Sequence, residues 1–443
     1  MPEIAPFRGY LYDPAKAPAD KVVAPPYDVI DAKQREQLAK RSKYNCVHLV
    51  LPEGEGDKKY ANAAARMNKW IDDGVLVRDV RPALYRYHQS FELAELGGRR
   101  ITRKGFICAV RLHDFSERVI LPHERTLEGP KIDRLKLMEA TSCHSSQIFC
   151  MYSDAANVTD RAFKNAERKD PDIDVVTDDK TRHILWRVAD NEAIADVRRF
   201  MSQVNLYIAD GHHRYETMLA LRNKWRAKQD DGFLPSKSTG EFGTMFLCNM
   251  SDEGLVVFPT QRLVHGLSEF KLDDALQKAE AFFTVTKLEG AAKNLKKLRE
   301  SLAKAGQESP SFCVIAPKRA DAWLLSYRAG VNLAQLGIVG SGTYVHLDVT
   351  LLHELVLDRV LGIDKEAQHA RTNIKYIKDT AQAIERTAAG EGQVCFLMNP
   401  TPLDQVRHIA DAGEFMPQKS TYFFPKIATG LVFNRVDPDE HIP

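Results

Sequence analysis

The stretch NLYIADGHHRYETMLALRNKW, residues 205–225, gathers the chain's densest set of chemistry-bearing side chains. Apolar residues Leu206 to Ala209 read as a short strand that runs into Asp210-Gly211, and His212, His213 and Arg214 follow at once. Tyr215, Met218, Leu221 and Trp225 then recur at spacings of 3, 3 and 4, which predicts a helix with one core-directed face. Asp210 falls where an N-cap belongs, and Gly211 permits a tight strand-to-helix turn. A helix start offers free N–H groups and the positive end of a dipole. Two histidines and an arginine in the first turn add to them, so the segment suits an oligophosphate. Asp210 with one histidine could also ligate a divalent ion. Adjacent histidines lack the i,i+4 face of an H-E-x-x-H zinc site, and His346 with His353 is a weak pair. The expected metal is Mg²⁺ carried in with a nucleotide, with Asp210 as its carboxylate.

Three further segments carry polar groups in rigid settings. In Pro122-His123-Glu124-Arg125-Thr126, a carboxylate flanked by His and Arg sits between a strand-like run and a helix, a good place for a general base. In Ala24-Pro25-Pro26-Tyr27-Asp28, two prolines fix an extended turn that presents Tyr27 and Asp28, which suits substrate contact. In Met416-Pro417-Gln418-Lys419-Ser420-Thr421, Lys419 and Ser420 are candidates for substrate contact, and Lys419 or the later Lys426 for an anion. That segment is no P-loop: Gln418 stands where the motif needs glycine, and a strand, not a helix, is expected after it.

The elements that must hold these groups read as alternating strand and helix. Before residue 80 come a helix over DAKQREQLAKRS with Asp31 and Gln34 as a capping box, a strand at CVHLVL, and a helix from Lys58 to about Asp73. ALYRYHQSFEL and ITRKGFICAVRL, separated by Gly-Gly, predict a β-hairpin. An amphipathic helix with Ile132, Leu135, Leu137 and Met138 follows the Glu124 segment. Strands at SQIFCMY and HILWRV and a helix over EAIADVRRFMS lead to the 205–225 stretch. The run 228–243 is polar and reads as a loop. A soft boundary near Gly266 gives two domains, 1–265 and a smaller α/β domain over 266–443, with helices at DDALQKAEAFF and AAKNLKKLRESLAKA and strands at SFCVIAP, AWLLSY, QVCFLMN and STYFFPKI.

Composition narrows the class. In 443 residues, 62 Lys and Arg against 60 Asp and Glu leave a net charge of +2, which argues against a general nucleic-acid or membrane-surface binder. No apolar run is long enough to span a membrane, and the N-terminus lacks the features of a signal peptide, so a cytoplasmic location is expected. The 7 cysteines form no C-x-x-C pair and read as buried free thiols. Oligomeric state is not legible.

With IADGHHRYE, APPYDVI, LPHERTL and MPQKSTYFFPK in that set, the chain resembles the microbial domain-of-unknown-function family numbered 1015, over nearly its whole length. More remotely, H-E in a loop, then a helix, a strand and D-G-H-H-R at a helix start are similar to free-serine kinases of the SerK type, in the ParB/sulfiredoxin-like superfamily. This resemblance implies an α/β (α+β) fold with a ParB/sulfiredoxin-like nucleotide-binding core over about 105–260, large insertions and a second C-terminal α/β domain. It implies phosphoryl transfer from ATP or ADP, with Mg²⁺, to a small hydroxylated metabolite, foremost free L-serine. Glu124 would be the base, and Asp210 a second acidic group near the reacting phosphate and metal. His212 would join them in catalysis, with Gly211, His213, Arg214, His123, Arg125 and Thr126 around the nucleotide. The rival reading is a non-catalytic nucleotide switch, as in ParB relatives that bind CTP at the same turn and close on DNA. The near-neutral charge and the lack of an evident basic helix-turn-helix count against DNA. A sulfiredoxin-like reductase would need a cysteine in the turn, and residues 209–213 contain none.

Overall fold

The computed structural model describes residues 1–93, 98–126 and 128–442. Two compact units emerge. One comprises Met1–Pro122, Thr126–Val256 and Pro425–Pro443; the other comprises His123–Arg125 and Val257–Phe424. The change of unit comes at Val256, ahead of Gly266, and the C-terminal segment belongs with the first unit.

The first unit is built on a nine-stranded mixed sheet. Its strands run in the order Ile120–Leu121, Leu206–Asp210, Ile148–Tyr152, Phe242–Asn249, Arg99–Arg111, Leu84–Leu93, Arg182–Val188 and Ile173–Val176, with Ile4–Ala5 paired to Arg99–Arg111. The expected hairpin is present, with Leu93 opposite Arg99 and Tyr85 opposite Ile107. Residues 94–97, which include the first glycine of its turn, lie outside the described residues. Strand alternation sorts the side chains. Phe106, Cys108, Val110, Ile148, Cys150, Leu206, Ile208, Met245 and Leu247 share one buried cluster with Val197 and Met201 of one helix and Tyr215, Met218 and Leu221 of another. Each such side chain stabilises the fold by roughly 1.5–3 kcal/mol. The 212–226 helix therefore packs its apolar face as its spacing predicts, and Trp225 lies partly buried against the same cluster.

Local details correct two expectations. CVHLVL is not a strand: Val47–Val50 is one helical turn, with Cys46, Val47, Leu49 and Val50 buried. A short apolar run fits a buried strand or a buried helix equally well by pattern. Here the Asn45 side chain decides, accepting from the Val47 N–H at 3.0 Å and donating to the Lys21 carbonyl at 2.8 Å. Ile132 is 58% exposed, so it leaves the apolar face on which Leu137 and Met138 are buried. The Asp31 half of the expected capping box is present, its carboxylate accepting from the Gln34 N–H at 2.8 Å. All seven cysteines are free and buried.

The second unit has a six-stranded antiparallel sheet in the order Phe283–Leu288, Ala322–Tyr327, Ser311–Ile315, Val394–Met398, Gln261–Val264, Ile374–Ile377. Leu298 and Leu302 of the Leu295–Glu308 helix, with Ala383 and Ile384 of Thr380–Ala388, pack against Leu263, Cys313, Ile315, Cys395 and Leu397. Leu272 and Leu276 of Leu272–Ala279 and Val356 and Val360 of a π-helix, Leu352–Val360, gather beside Val314, Leu325, Val394 and Phe396. The apolar spacing of LHELVLDRV gave no warning of the wider π turn.

Among the buried histidines, His144, His183 and His353 are held as neutral rings. Burial pushes His144 and His353 down to about 3 and His183 down to about 4. In the unfolded chain each titrates near 6.5. The unfolded state thus binds more protons below that value, and stability is complete above it and lost as pH falls. Each histidine withdraws about 1.4 kcal/mol per pH unit. The unfolding midpoint followed by circular dichroism is expected to fall steadily from pH 7 to pH 5; a flat midpoint over that range would contradict the burial of these rings in neutral form.

Candidate functional site

The strand Leu206–Asp210 is irregular at its end. Ile208 pairs with Cys150 and Asp210 with Phe149, so Ala209 is an extra residue. Such a bulge re-aims the side chain that follows it. Ile208 stays in the apolar cluster, whereas Asp210 turns toward cations. Gly211 has φ +96, and a Cβ there would lie 3.0 Å from the Arg214 guanidinium. Only glycine meets both demands. Gly211, not Asp210, is the N-cap residue of the helix His212–Arg226, and it supplies no side-chain cap. Asp210 is the last strand residue instead.

Arg214 is buried. Its Nη1 donates to the Gln147 carbonyl at 2.6 Å and its Nη2 to Asp210 Oδ2 at 2.9 Å. The other oxygen, Oδ1, accepts from Lys426 Nζ at 2.6 Å. Burial opposes the charge on Asp210, but Lys426 and Arg214 outweigh it, with His212 adding to them, and hold the carboxyl far below the usual range. One carboxylate thus stands between two full positive charges at the start of a helix. The arrangement is a partly buried cluster of one anion and two cations beside the helix N-terminus.

This geometry corrects two expectations for Asp210. As the expected second acidic group near the reacting phosphate, it is already the counter-ion of Arg214 and Lys426. Both of its oxygens are bound to cations, which does not fit the expected Mg²⁺ ligation. Among the described residues no group of three or more His, Cys, Asp or Glu side chains is placed to hold a metal ion.

In the first unit the structure brings Tyr27 beside this turn. Tyr27 and Arg214 border one narrow cavity of about 20 Å³ with Arg134, Ser145 and Ser146. Arg134 stacks over the Tyr27 ring at 4.3 Å. Burial raises the Tyr27 hydroxyl while Arg214 and Arg134 pull it back. Asp28 is exposed. Buried His212 opens the helix, followed by half-buried His213, whose carbonyl accepts from Thr217. Thr126 donates to Glu216 Oε2 on the same helix at 2.8 Å, as does Lys131 at 2.8 Å. A larger cleft, about 720 Å³ and lined by Tyr12, Asp79, Asp172 and Arg187 among others, contains none of the candidate residues.

The second unit unites the other two segments. Glu124 forms a parallel bridge with Met416, and the Met416 N–H donates to the His123 carbonyl at 2.8 Å. His123 is buried with Nε2 3.1 Å from Thr421 Oγ1, and the Arg125 guanidinium lies 5.3 Å from the Phe415 ring. The half-buried Glu124 is therefore held alongside the 415–421 loop. Within that loop Lys419 takes a left-handed φ of 60° and its side chain is exposed, while the Ser420 hydroxyl donates to the Pro417 carbonyl and is buried. Ser420 thus holds the turn, a structural use of a residue expected to touch substrate. Each unit gathers part of the expected set: Tyr27, Asp28, Thr126 and 210–214 in the first, 123–125, 419 and 420 in the second.

Sequence reading missed Arg103 and Gln89. Arg103 is fully buried in the long strand, 4.6 Å from the Phe149 ring, and donates to Gln89 Oε1 and to the Pro425 carbonyl at 2.5 Å. The signal was present in ITRKGFICAV, where alternation puts a charged residue at an inward position.

A family model described as "Protein of unknown function (DUF1015)" matches residues 4–350. The chain belongs to this family. No curated protein matches this DUF1015 chain. Among solved structures it is similar to a conserved hypothetical protein from Pyrococcus furiosus, at 13% identity and TM-score 0.36 over 76% of this chain and 96% of that one. It is similar also to a free serine kinase in complex with AMP, at 11% identity and TM-score 0.38 over 76% and 93%. A third is SbnI with C-terminal truncation from Staphylococcus aureus, at 11% and 0.35 over 73% and 85%. Among the described residues of the DUF1015 chain no helix is long and apolar enough to cross a membrane.

Gly211→Ala is expected to cost about 1–2 kcal/mol of stability through its left-handed backbone, and to push the Arg214 fork off Asp210. A thermal midpoint unchanged from wild type would contradict the requirement for glycine.

Proposed function

We propose that the protein is a nucleotide-dependent phosphotransferase acting on a small hydroxylated metabolite, foremost free L-serine, with ATP or ADP as donor. The observation that carries this reading is the Asp210 carboxylate held between Arg214 and Lys426 at the start of a helix. A receptor with more positive than negative charge suits the phosphate chain of a nucleotide. The sequence resemblance to free-serine kinases supplies the acceptor, and with it a ParB/sulfiredoxin-like core over about 105–260.

Phosphoryl transfer is mostly positioning and charge neutralisation. In the scheme that the sequence resemblance implies, the serine Oγ attacks the terminal phosphorus, its proton passes to Glu124, and the bridging P–O bond breaks to release the shortened nucleotide. Arg214, Lys426 and the helix N–H groups take up charge on the phosphate oxygens, with His212 and His213 contributing donors. His123 and Arg125 flank the base. Asp210 organises the two cations rather than reacting.

Calorimetric titration with ADP and ATP tests the nucleotide half of the proposal. Saturable binding of either nucleotide to the full chain is expected; no heat from either would overturn it. Saturable CTP binding with salt-sensitive retention of DNA would instead favour the ParB-like switch.

A further inference from the structure

The C-terminal lysine is too carefully placed to be an ordinary surface charge. Lys426 belongs to the segment that closes the first unit, and its side chain is only 14% exposed. Its main chain is gripped by two fully buried polar side chains. Gln89 Nε2 donates to the Lys426 carbonyl at 2.8 Å, and Arg103 donates to the carbonyl of Pro425 at 2.5 Å. Arg103 also donates to Gln89 Oε1, which fixes the amide so that its NH₂ faces the lysine. The effect is to bring an ammonium to a carboxylate that already holds a guanidinium. Asp210 thus accepts from both Arg214 and Lys426, and Arg103 lies within electrostatic reach of Asp252 and of Asp210. A guanidinium and an ammonium converging on one carboxylate at the start of a helix offer donors that a phosphate oxygen can share.

We propose that Lys426 is a phosphate-binding residue of this site, and that Asp210 is a positioning residue that keeps the ammonium aimed until a phosphate replaces it as partner. The inference deepens the nucleotide reading and rests on it. Lysine acts on phosphate as a compact point charge on a flexible stem, so it can leave one oxygen for another without rebuilding the turn. Arg214, tied to both the Gln147 carbonyl and Asp210, stays as the fixed element.

The test compares ADP, adenosine and pyrophosphate binding to the full chain by calorimetry. Lys426→Met is expected to weaken ADP by roughly tenfold to a hundredfold while adenosine changes by less than about twofold. Lys426→Arg, which keeps the charge, should retain ADP affinity within about fivefold and serves if the methionine variant fails to fold. Asp210→Asn, which frees the ammonium, should keep ADP affinity at or above the wild-type value. Unchanged ADP affinity in Lys426→Met would overturn the proposal. So would equal losses of ADP and adenosine, the mark of a merely structural role. An ADP loss in Asp210→Asn as large as that in Lys426→Met would overturn the positioning role of Asp210. If wild type binds pyrophosphate through Lys426 but no nucleotide, the nucleotide reading fails and the anion role of the lysine stands.

Discussion

Glu124→Gln is expected to lower turnover by about 10²–10⁴-fold, the usual contribution of a general base, with nucleotide affinity changed by less than about threefold. The substitution is nearly isosteric, so the half-buried residue should keep its bridge to Met416, which is made by main-chain atoms. Burial of His123 and the hold of the 415–421 loop do not depend on the carboxylate charge either. The loss should therefore appear in kcat with the thermal midpoint intact. Full activity in the glutamine variant would remove Glu124 from the reaction.

The second large effect is expected at Arg214. Truncation to alanine removes the donors to the Gln147 carbonyl and to Asp210 Oδ2, both in a buried setting. Lys426 still compensates the carboxylate, so the stability loss should be about 3 kcal/mol, below that of an orphaned buried charge. ADP affinity should fall about 100-fold, because a positive charge beside the phosphate is lost along with the turn it braces. Arg214→Lys keeps a charge but cannot span both acceptors, and should fall between alanine and wild type. Chemical denaturation and calorimetry separate the two quantities. A lowered midpoint with wild-type ADP affinity would make Arg214 a structural residue only.

Much of this site was legible because its signals are local. The D-G-H-H-R turn follows from an apolar strand, a glycine and a helix periodicity within one short stretch, and the Tyr215, Met218 and Leu221 face is buried as that periodicity predicts. What local pattern does not carry is register. The extra residue at Ala209 decides where Asp210 points, and it made a residue that looked like a cap into the partner of two cations. Long-range pairing was equally silent. Nothing near Lys426 in the chain announces Asp210, and nothing near Glu124 announces Met416. The short helix Val47–Val50 and the π-helix Leu352–Val360 escaped because apolar spacing alone does not distinguish the backbone that carries it.

Transfer of phosphate to a small hydroxyl is read directly by phosphorus NMR. Purified protein would be incubated with Mg²⁺, free L-serine and either ATP or ADP, and the spectrum followed with time. A growing O-phosphoserine resonance, matched by loss of the donor's terminal phosphate and absent with Glu124→Gln, is expected. Nucleotide that stays intact beside unmodified serine, in a protein that binds it, would contradict the serine kinase reading. The site around Asp210 would then be left with phosphate recognition but without this reaction.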